Sequence, residues 1–137
     1  MAFLVDTNIL SETMKPSPDP AASRWMFETE QNKIYLSVVT MAEIRRGVDQ
    51  MDHGRRRQRL EEWLTGELPG WFSGRILDVN LRVADQCGQL LAESKKKGWN
   101  LEAMDALIAA TGLVHDLTVV TLNRRHFEKI GVRLQAL

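Results

Sequence analysis

An apolar run at the start of the chain constrains the fold more than any other stretch. Residues 2–5 are Ala-Phe-Leu-Val, and Asp6 ends the run before Thr7 and Asn8. A continuous apolar run predicts a strand buried on both faces, as in parallel sheets covered by helices. Asp6 then lies at the carboxyl end of the strand, which is the edge where open α/β sheets bind ligands.

Asp6 has two interpretations. Asp, Thr and Asn are all common N-caps, so Asp6 could cap a helix that begins at Thr7 or Asn8. A carboxylate that ends a core strand is also unfavourable unless it meets water, a hydrogen-bond donor or a cation. Asp6 could therefore be the first ligand of a divalent metal, in which case other acidic residues must reach the same place.

Composition is consistent with one α/β domain over residues 1–137, because 44% hydrophobic residues can form a core. Lys+Arg and Asp+Glu both number 18, so net charge indicates no polyanionic partner. Basic residues nevertheless cluster in ways that suit phosphate contacts, at 45–46, 55–59, 95–97 and 124–125. No stretch approaches the ~20 apolar residues of a membrane span, and no signal peptide is evident. We expect a cytoplasmic protein.

Strands and helices alternate along the rest of the chain. Further strands are predicted at 33–37, 75–79 and 117–121, with a short strand or extended tail at 130–134. A polar helix is predicted from Asp52 to Trp71, ended by Pro69-Gly70. The alternation predicts βαβ units and a mainly parallel central sheet of four to five strands with helices on both faces.

Three more polar residues follow strands or begin the helices beyond them. They are Glu43, Asp105 and Asn123. In a doubly wound sheet these positions converge with Asp6 on one edge. Three carboxylates and an amide are oxygen ligands of the kind that Mg²⁺ and Mn²⁺ prefer.

Each of these residues also has a purely structural interpretation. Thr40 to Glu43 has the form of a capping box, which would tie Glu43 to a helix start. Asp105 could complement the dipole of a helix that is apolar nearly all round. Asn123 could cap a short turn from Arg124 to Phe127.

Four segments resemble the successive motifs of PIN-domain ribonucleases. They are Leu-Val-Asp-Thr-Asn-Ile-Leu-Ser-Glu at 4–12, Thr-Met-Ala-Glu-Ile-Arg-Arg-Gly at 40–47, Met-Asp-Ala-Leu-Ile-Ala-Ala-Thr at 104–111 and Leu-Thr-Val-Val-Thr-Leu-Asn at 117–123. Their order and spacing resemble the VapC toxins of type II toxin–antitoxin systems, in the FitB-like branch. The resemblance covers essentially the whole chain and implies a PIN-like fold.

The resemblance implies a function and partners. It implies an endoribonuclease that hydrolyses RNA phosphodiester bonds with Mg²⁺ or Mn²⁺ and is held inactive by a cognate VapB-type antitoxin. It also implies a homodimer, a larger toxin–antitoxin assembly on DNA through the antitoxin, and no membrane partner.

The resemblance also implies roles for individual residues. Asp6, Glu43 and Asp105 would coordinate the metal, with Asn123 as the fourth catalytic position, where FitB-like proteins often have aspartate. Donors that orient the carboxylates would be Thr7, Asn8 and Thr121. Candidates for contacts to the RNA backbone are Arg45, Arg46, Arg124 and Arg125.

Two rival functions remain open at this stage. A phosphoryl-transfer enzyme could use Asp6 as a nucleophile. That chemistry normally requires a second aspartate two residues after the first, where this chain has Asn8. The second rival is a non-catalytic α/β module that binds only a metal or a partner.

Overall fold

The fold is built on a four-stranded parallel sheet. The structure, a computed structural model, describes residues 1–137. Its strands are β1 (Phe3–Val5), β2 (Ile34–Ser37), β3 (Ile76–Leu77) and β4 (Thr118–Val120). Their order is β3-β2-β1-β4, and every pair is parallel. The first strand along the chain therefore lies between two others, as its apolar sequence predicts.

Seven α-helices connect and cover the strands. They are α1 (Thr7–Thr13), α2 (Pro20–Glu28), α3 (Val38–Asp49), α4 (Arg55–Glu62), α5 (Leu68–Trp71), α6 (Leu81–Lys97) and α7 (Ala103–Val114). A π-helical turn at Trp63–Glu67 joins α4 to α5, and short 3₁₀ turns lie at Gln31–Lys33 and Arg124–His126. None of the helices combines the length and the apolar character needed to cross a bilayer.

Both faces of the sheet are buried, because successive side chains of a strand point to opposite faces. Leu4 packs into a core with residues of α6 and α7, including Val83 and Ala109. Val5 packs on the other side into a core with residues of α1 to α5, including Ile9 and Ile44. The predicted parallel sheet with helices on both faces is confirmed.

The carboxyl-terminal segment adds only one backbone bridge to the sheet. Val119 of β4 pairs in parallel with Leu134, and the N–H of Gln135 donates to the carbonyl of Val119 at 2.9 Å. The alternative of an extended tail at 130–134 therefore describes this segment better than a fifth strand.

The polar helical stretch ends at Trp71, as the sequence predicts, but it begins at Arg55 instead of Asp52 and is divided into α4, a π-helical turn and α5. Pro69 and Gly70 lie inside α5, which continues to Trp71. Proline lacks an N–H and clashes with the carbonyl four residues earlier. The π-helical turn immediately before α5 widens the backbone there, so the chain keeps a helical path past the proline.

Gly112 marks the closest approach between α7 and the sheet. A Cβ added there would lie 3.1 Å from Cγ2 of Val119 and 3.2 Å from Cγ2 of Val132. We predict that overpacking in Gly112→Ala costs about 1–3 kcal/mol of the free energy of unfolding, offset in part by up to about 1 kcal/mol of helix propensity.

Gly88→Ala on α6 is the matched control, because nothing lies within 4 Å of a Cβ at that position. It should raise stability by up to about 1 kcal/mol through helix propensity. Urea unfolding of both variants measures the difference. Equal stability of Gly112→Ala and Gly88→Ala would contradict this packing.

Candidate functional site

Asp6 lies at the carboxyl end of β1 and is 4% exposed. Its Oδ1 accepts a hydrogen bond from the Thr7 N–H at 2.8 Å, which caps α1. Its Oδ2 accepts from the Thr121 hydroxyl at 2.8 Å and from the Asn8 side-chain amide at 3.1 Å. Helix capping therefore occupies one oxygen of Asp6, and a separate polar network surrounds the other.

Asn8 and Thr121 join the ends of the two neighbouring strands. The Asn8 Oδ1 accepts from the Leu122 N–H at 3.1 Å, and its Nδ2 lies 3.2 Å from the Thr121 hydroxyl oxygen. These bonds fix the loop after β4 against the start of α1. The Asp6 carboxylate consequently has a defined orientation.

Glu43 is not part of a capping box, so that interpretation is wrong. The helix α3 begins earlier, and the Ser37 hydroxyl caps it by accepting from the Val39 N–H at 3.0 Å. Glu43 lies in the second turn and accepts from the Thr7 hydroxyl at 2.6 Å. Thr7 thus connects the two acids, because its hydroxyl donates to Glu43 and its N–H donates to Oδ1 of Asp6.

Asp105 lies in the first turn of α7, and 17% of its side chain is exposed. Its Oδ2 lies 2.9 Å from Nδ1 of His126 in the 3₁₀ turn after β4. No sequence motif indicates a role for His126. The only sequence signal for this contact is that His126 follows the polar residue beyond the fourth strand.

Asn123 lies at the start of that turn, but its side chain does not cap it, so the capping interpretation is wrong. The turn closes through the backbone, where the His126 N–H donates to the Asn123 carbonyl at 3.0 Å. The Asn123 N–H donates to the Thr121 hydroxyl at 3.0 Å. Its exposed side chain makes no hydrogen bond to any of the three carboxylates.

The carboxylates repel one another. Burial raises the pKa of Asp6, and the charge of Asp105 raises it further, against the lowering effects of the Thr121 and Thr7 hydrogen bonds. Burial also raises the pKa of Asp105, with further contributions from the charges of Glu102 and Glu43, while His126 lowers it. The acids therefore lie near enough to interact, and their ionised forms are disfavoured.

A divalent cation fits this site in charge and in ligand type. The three side chains offer carboxylate oxygens, and neither Asp6 nor Glu43 forms an ion pair. The ligand set is not closed, however, because no group of three or more acidic, His or Cys side chains is placed to hold a metal ion. Glu43 is bonded to Thr7 and Asp105 to His126 instead. Each of these contacts uses one oxygen of its carboxylate, so the other oxygen of Glu43 and of Asp105 remains available to an ion.

The four predicted RNA-contacting arginines differ in their environments. Arg45 pairs with Asp49 at 3.1 Å and with Glu61 at 3.3 Å. Arg124 donates to the carbonyl of Gln135 at 2.8 Å. Arg46 and Arg125 are exposed, and no carboxylate pairs with them.

This arrangement of acids on a parallel sheet can be compared with known proteins. The family model described as the PIN domain matches residues 3–132. This chain belongs to the PIN-domain family. The parallel sheet covered by helices on both faces is thus that of a PIN domain.

Two relatives and one solved structure illustrate the similarity. The VapC ribonuclease Y4jK of Sinorhizobium fredii is 34% identical, over 95% of this chain and 93% of the relative. Toxin FitB of Neisseria gonorrhoeae is 36% identical, over 91% of this chain and 90% of the relative. The crystal structure of FitAcB from N. gonorrhoeae superposes with a TM-score of 0.91 at 34% identity, covering 98% of this chain and 96% of that chain.

The raised pKa of Asp105 predicts a pH-dependent stability of the metal-free PIN domain. A carboxylate whose folded-state pKa lies above its value of 3.8 in the unfolded chain destabilises the fold when ionised. That destabilisation is complete above the folded-state pKa and disappears below the unfolded one. We predict that Asp105→Asn raises the melting temperature at pH 7 in EDTA, with a difference that shrinks as the pH falls through the folded-state pKa.

Thermal unfolding followed by circular dichroism measures this effect. Asp85→Asn on the exposed surface of α6 is the control and should change little at either pH. Identical melting temperatures for Asp105→Asn and the unmodified protein at pH 7 would contradict the assignment.

Thr121→Val tests whether the polar network orients Asp6 for a metal. Valine removes the hydroxyl that donates to Asp6 at 2.8 Å. We predict that affinity for Mn²⁺, measured by isothermal titration calorimetry, falls about 10- to 100-fold. Thr111→Val is the control, because the buried Thr111 hydroxyl donates to the Leu107 carbonyl within α7. An equal effect of both substitutions would show that the loss is not specific to Asp6.

Proposed function

We propose that this protein is a metal-dependent endoribonuclease and the toxin component of a type II toxin–antitoxin system. The observation that carries the proposal is the buried carboxylate of Asp6 at the end of the central strand, interacting electrostatically with Asp105. Such clustered, desolvated acids suit a site that binds a cation and a phosphate. The similarity to a VapC ribonuclease and to toxin FitB supports the same activity.

Asp6, Glu43 and Asp105 would hold Mg²⁺ or Mn²⁺. The bound ion supplies charge neutralisation at a phosphate oxygen and a more acidic water. Thr121 and Asn8 keep Oδ2 of Asp6 oriented by their hydrogen bonds. His126 lies against Asp105 and positions it. Asn123 contributes no charge, so we assign it no ligand role beyond proximity to the site.

Two of the four arginines are better suited to RNA than the others. Arg46 and Arg125 are exposed and unpaired, so they could bind RNA phosphates without breaking an ion pair. Arg45 would have to release Asp49 and Glu61 first. Arg124 is engaged with the backbone of the carboxyl-terminal segment.

The proposed partners follow from the resemblance. A VapB-type antitoxin would inhibit the enzyme, and two copies of this chain would form a homodimer. The antitoxin would also carry the complex to DNA. We also propose that the protein acts as a single domain in the cytoplasm.

A non-catalytic metal- or partner-binding module is the second candidate. It is favoured by one observation, the absence of a closed ligand set among the acidic side chains. A phosphoryl-transfer enzyme is less suitable, because the Asn8 side chain is fully engaged with Asp6, Thr121 and Leu122. No second carboxylate stands where that chemistry needs one.

A ribonuclease assay with a metal titration separates these functions. We predict that the purified protein cleaves single-stranded RNA in Mg²⁺ or Mn²⁺ and not in EDTA. Asp6→Ala and Asp105→Asn should each lower the rate at least about 100-fold, because each removes part of the charge that holds the ion.

Asp85→Asn is the matched control and should leave the rate unchanged, since Asp85 contacts only Gln89 on the surface. Cleavage that persists in EDTA, or in both acidic-site variants, would contradict the proposal. Metal binding without cleavage of any RNA would favour the non-catalytic module.

A further inference from the structure

A small cavity is lined in part by Asp105. Its volume is about 170 Å³, below the ~300–1,000 Å³ of pockets for drug-sized ligands. We call it the Trp99 cavity, and the residues that define it are Trp99, Asn100, Asp105, Arg125, His126 and Lys129. Glu43 lines a different cavity, together with Thr7. Of the three proposed metal-binding acids, only Asp105 therefore lines the Trp99 cavity.

The loop between α6 and α7 holds Trp99 in a fixed backbone conformation. Gly98 and Asn100, on either side of Trp99, have left-handed backbone angles, with φ of 71° and 55°. The buried Ser94 anchors the loop. Its hydroxyl accepts from the Leu101 N–H at 2.9 Å, and its carbonyl accepts from the Trp99 N–H at 3.0 Å. A ligand would therefore find this part of the backbone already ordered.

Trp99 has no role in the hydrophobic interior. It belongs to neither of the two cores and is not among the side chains packed against them. It is half-buried, lines the cavity, and has the ammonium of Lys97 at 4.9 Å from its ring centroid. Lys97 thus covers one face of an indole that lies outside the cores, and a base could stack on the other face.

Unpaired cations line the same cavity. Arg125 and Lys129 are exposed, and neither forms an ion pair. Arg133, in contrast, pairs with Asp116 at 2.9 Å. The cavity thus combines a planar aromatic ring with two free positive charges within reach of Asp105.

We propose that the Trp99 cavity binds one nucleotide of single-stranded RNA next to the phosphodiester bond that is cleaved. The base stacks on Trp99, and the adjoining phosphate contacts Arg125 and Lys129. This inference rests on the proposed ribonuclease function, because Asp105 belongs to both sites. What it adds to that function is Trp99 as the residue that positions a base, since a base can stack on a protein ring only when it leaves its own helix.

The combination of ring and charge distinguishes this ligand from duplex RNA. Basic residues alone would suit the phosphates of either form, whereas aromatic stacking adds affinity for an unstacked base without requiring a particular sequence. The cavity should therefore select for strandedness more than for base identity.

Fluorescence anisotropy with a labelled single-stranded RNA in EDTA tests the subsite separately from cleavage. We expect Trp99→Ala to weaken binding about 5- to 100-fold, and Trp99→Phe to retain most of the affinity because the ring remains. Replacing both Arg125 and Lys129 with Gln should weaken binding and lower its dependence on salt. Binding of a duplex RNA should be insensitive to Trp99→Ala.

Trp71→Ala is the matched control, because Trp71 is 53% exposed and lines a different, apolar cavity. It should bind the single strand like the unmodified protein. Equal affinity of Trp99→Ala and Trp71→Ala, or no measurable binding of single-stranded RNA by the unmodified protein, would overturn the subsite. Weaker RNA binding by Trp99→Ala would support the subsite even if the protein cleaved no RNA. Loss of cleavage in Asp6→Ala, together with normal RNA binding by Trp99→Ala, would support the ribonuclease function and reject the subsite.

Discussion

The burial of the Asp6 carboxylate at the end of the central strand is the constraint on which the rest of the site depends. The Asp6 N–H continues the pairing of β1 with β4 by donating to the Val120 carbonyl at 2.9 Å. The sheet therefore fixes the backbone of Asp6. Its side chain is held by Thr7 and Asn8 of α1 and by Thr121, which directly follows β4, so a change at this edge of the sheet moves the carboxylate as well.

The candidate site holds carboxylates whose ionised forms are unfavourable, and the packing of the two cores keeps the protein folded despite them. Ionised Asp6 and Asp105 destabilise the metal-free protein, and the two cores on either side of the sheet offset that cost. A divalent cation would relieve the repulsion, so binding and stability are coupled. In the metal-free arrangement, the Thr7 hydroxyl donates to the Glu43 carboxylate, and Nδ1 of His126 contacts the Asp105 carboxylate.

The sequence predicted the elements that depend on local patterns. The apolar run before Asp6 gave the central strand, and alternation of strands and helices gave the parallel sheet. It failed where packing or distant contacts decide. The Thr40–Glu43 pattern suggested a capping box, but Ser37 competes and starts the helix earlier. The contact of His126 with Asp105 joins residues 21 positions apart, and no periodicity encodes it. The use of Trp99 outside the cores is visible only once the cores are known.

The central claim is that Asp6 and Asp105 share a divalent cation. An anomalous difference map from crystals grown with Mn²⁺ tests it most directly. We predict one strong peak with both carboxylates as ligands. A map with no peak at this edge of the sheet, from a protein that cleaves RNA under the same conditions, would contradict the account.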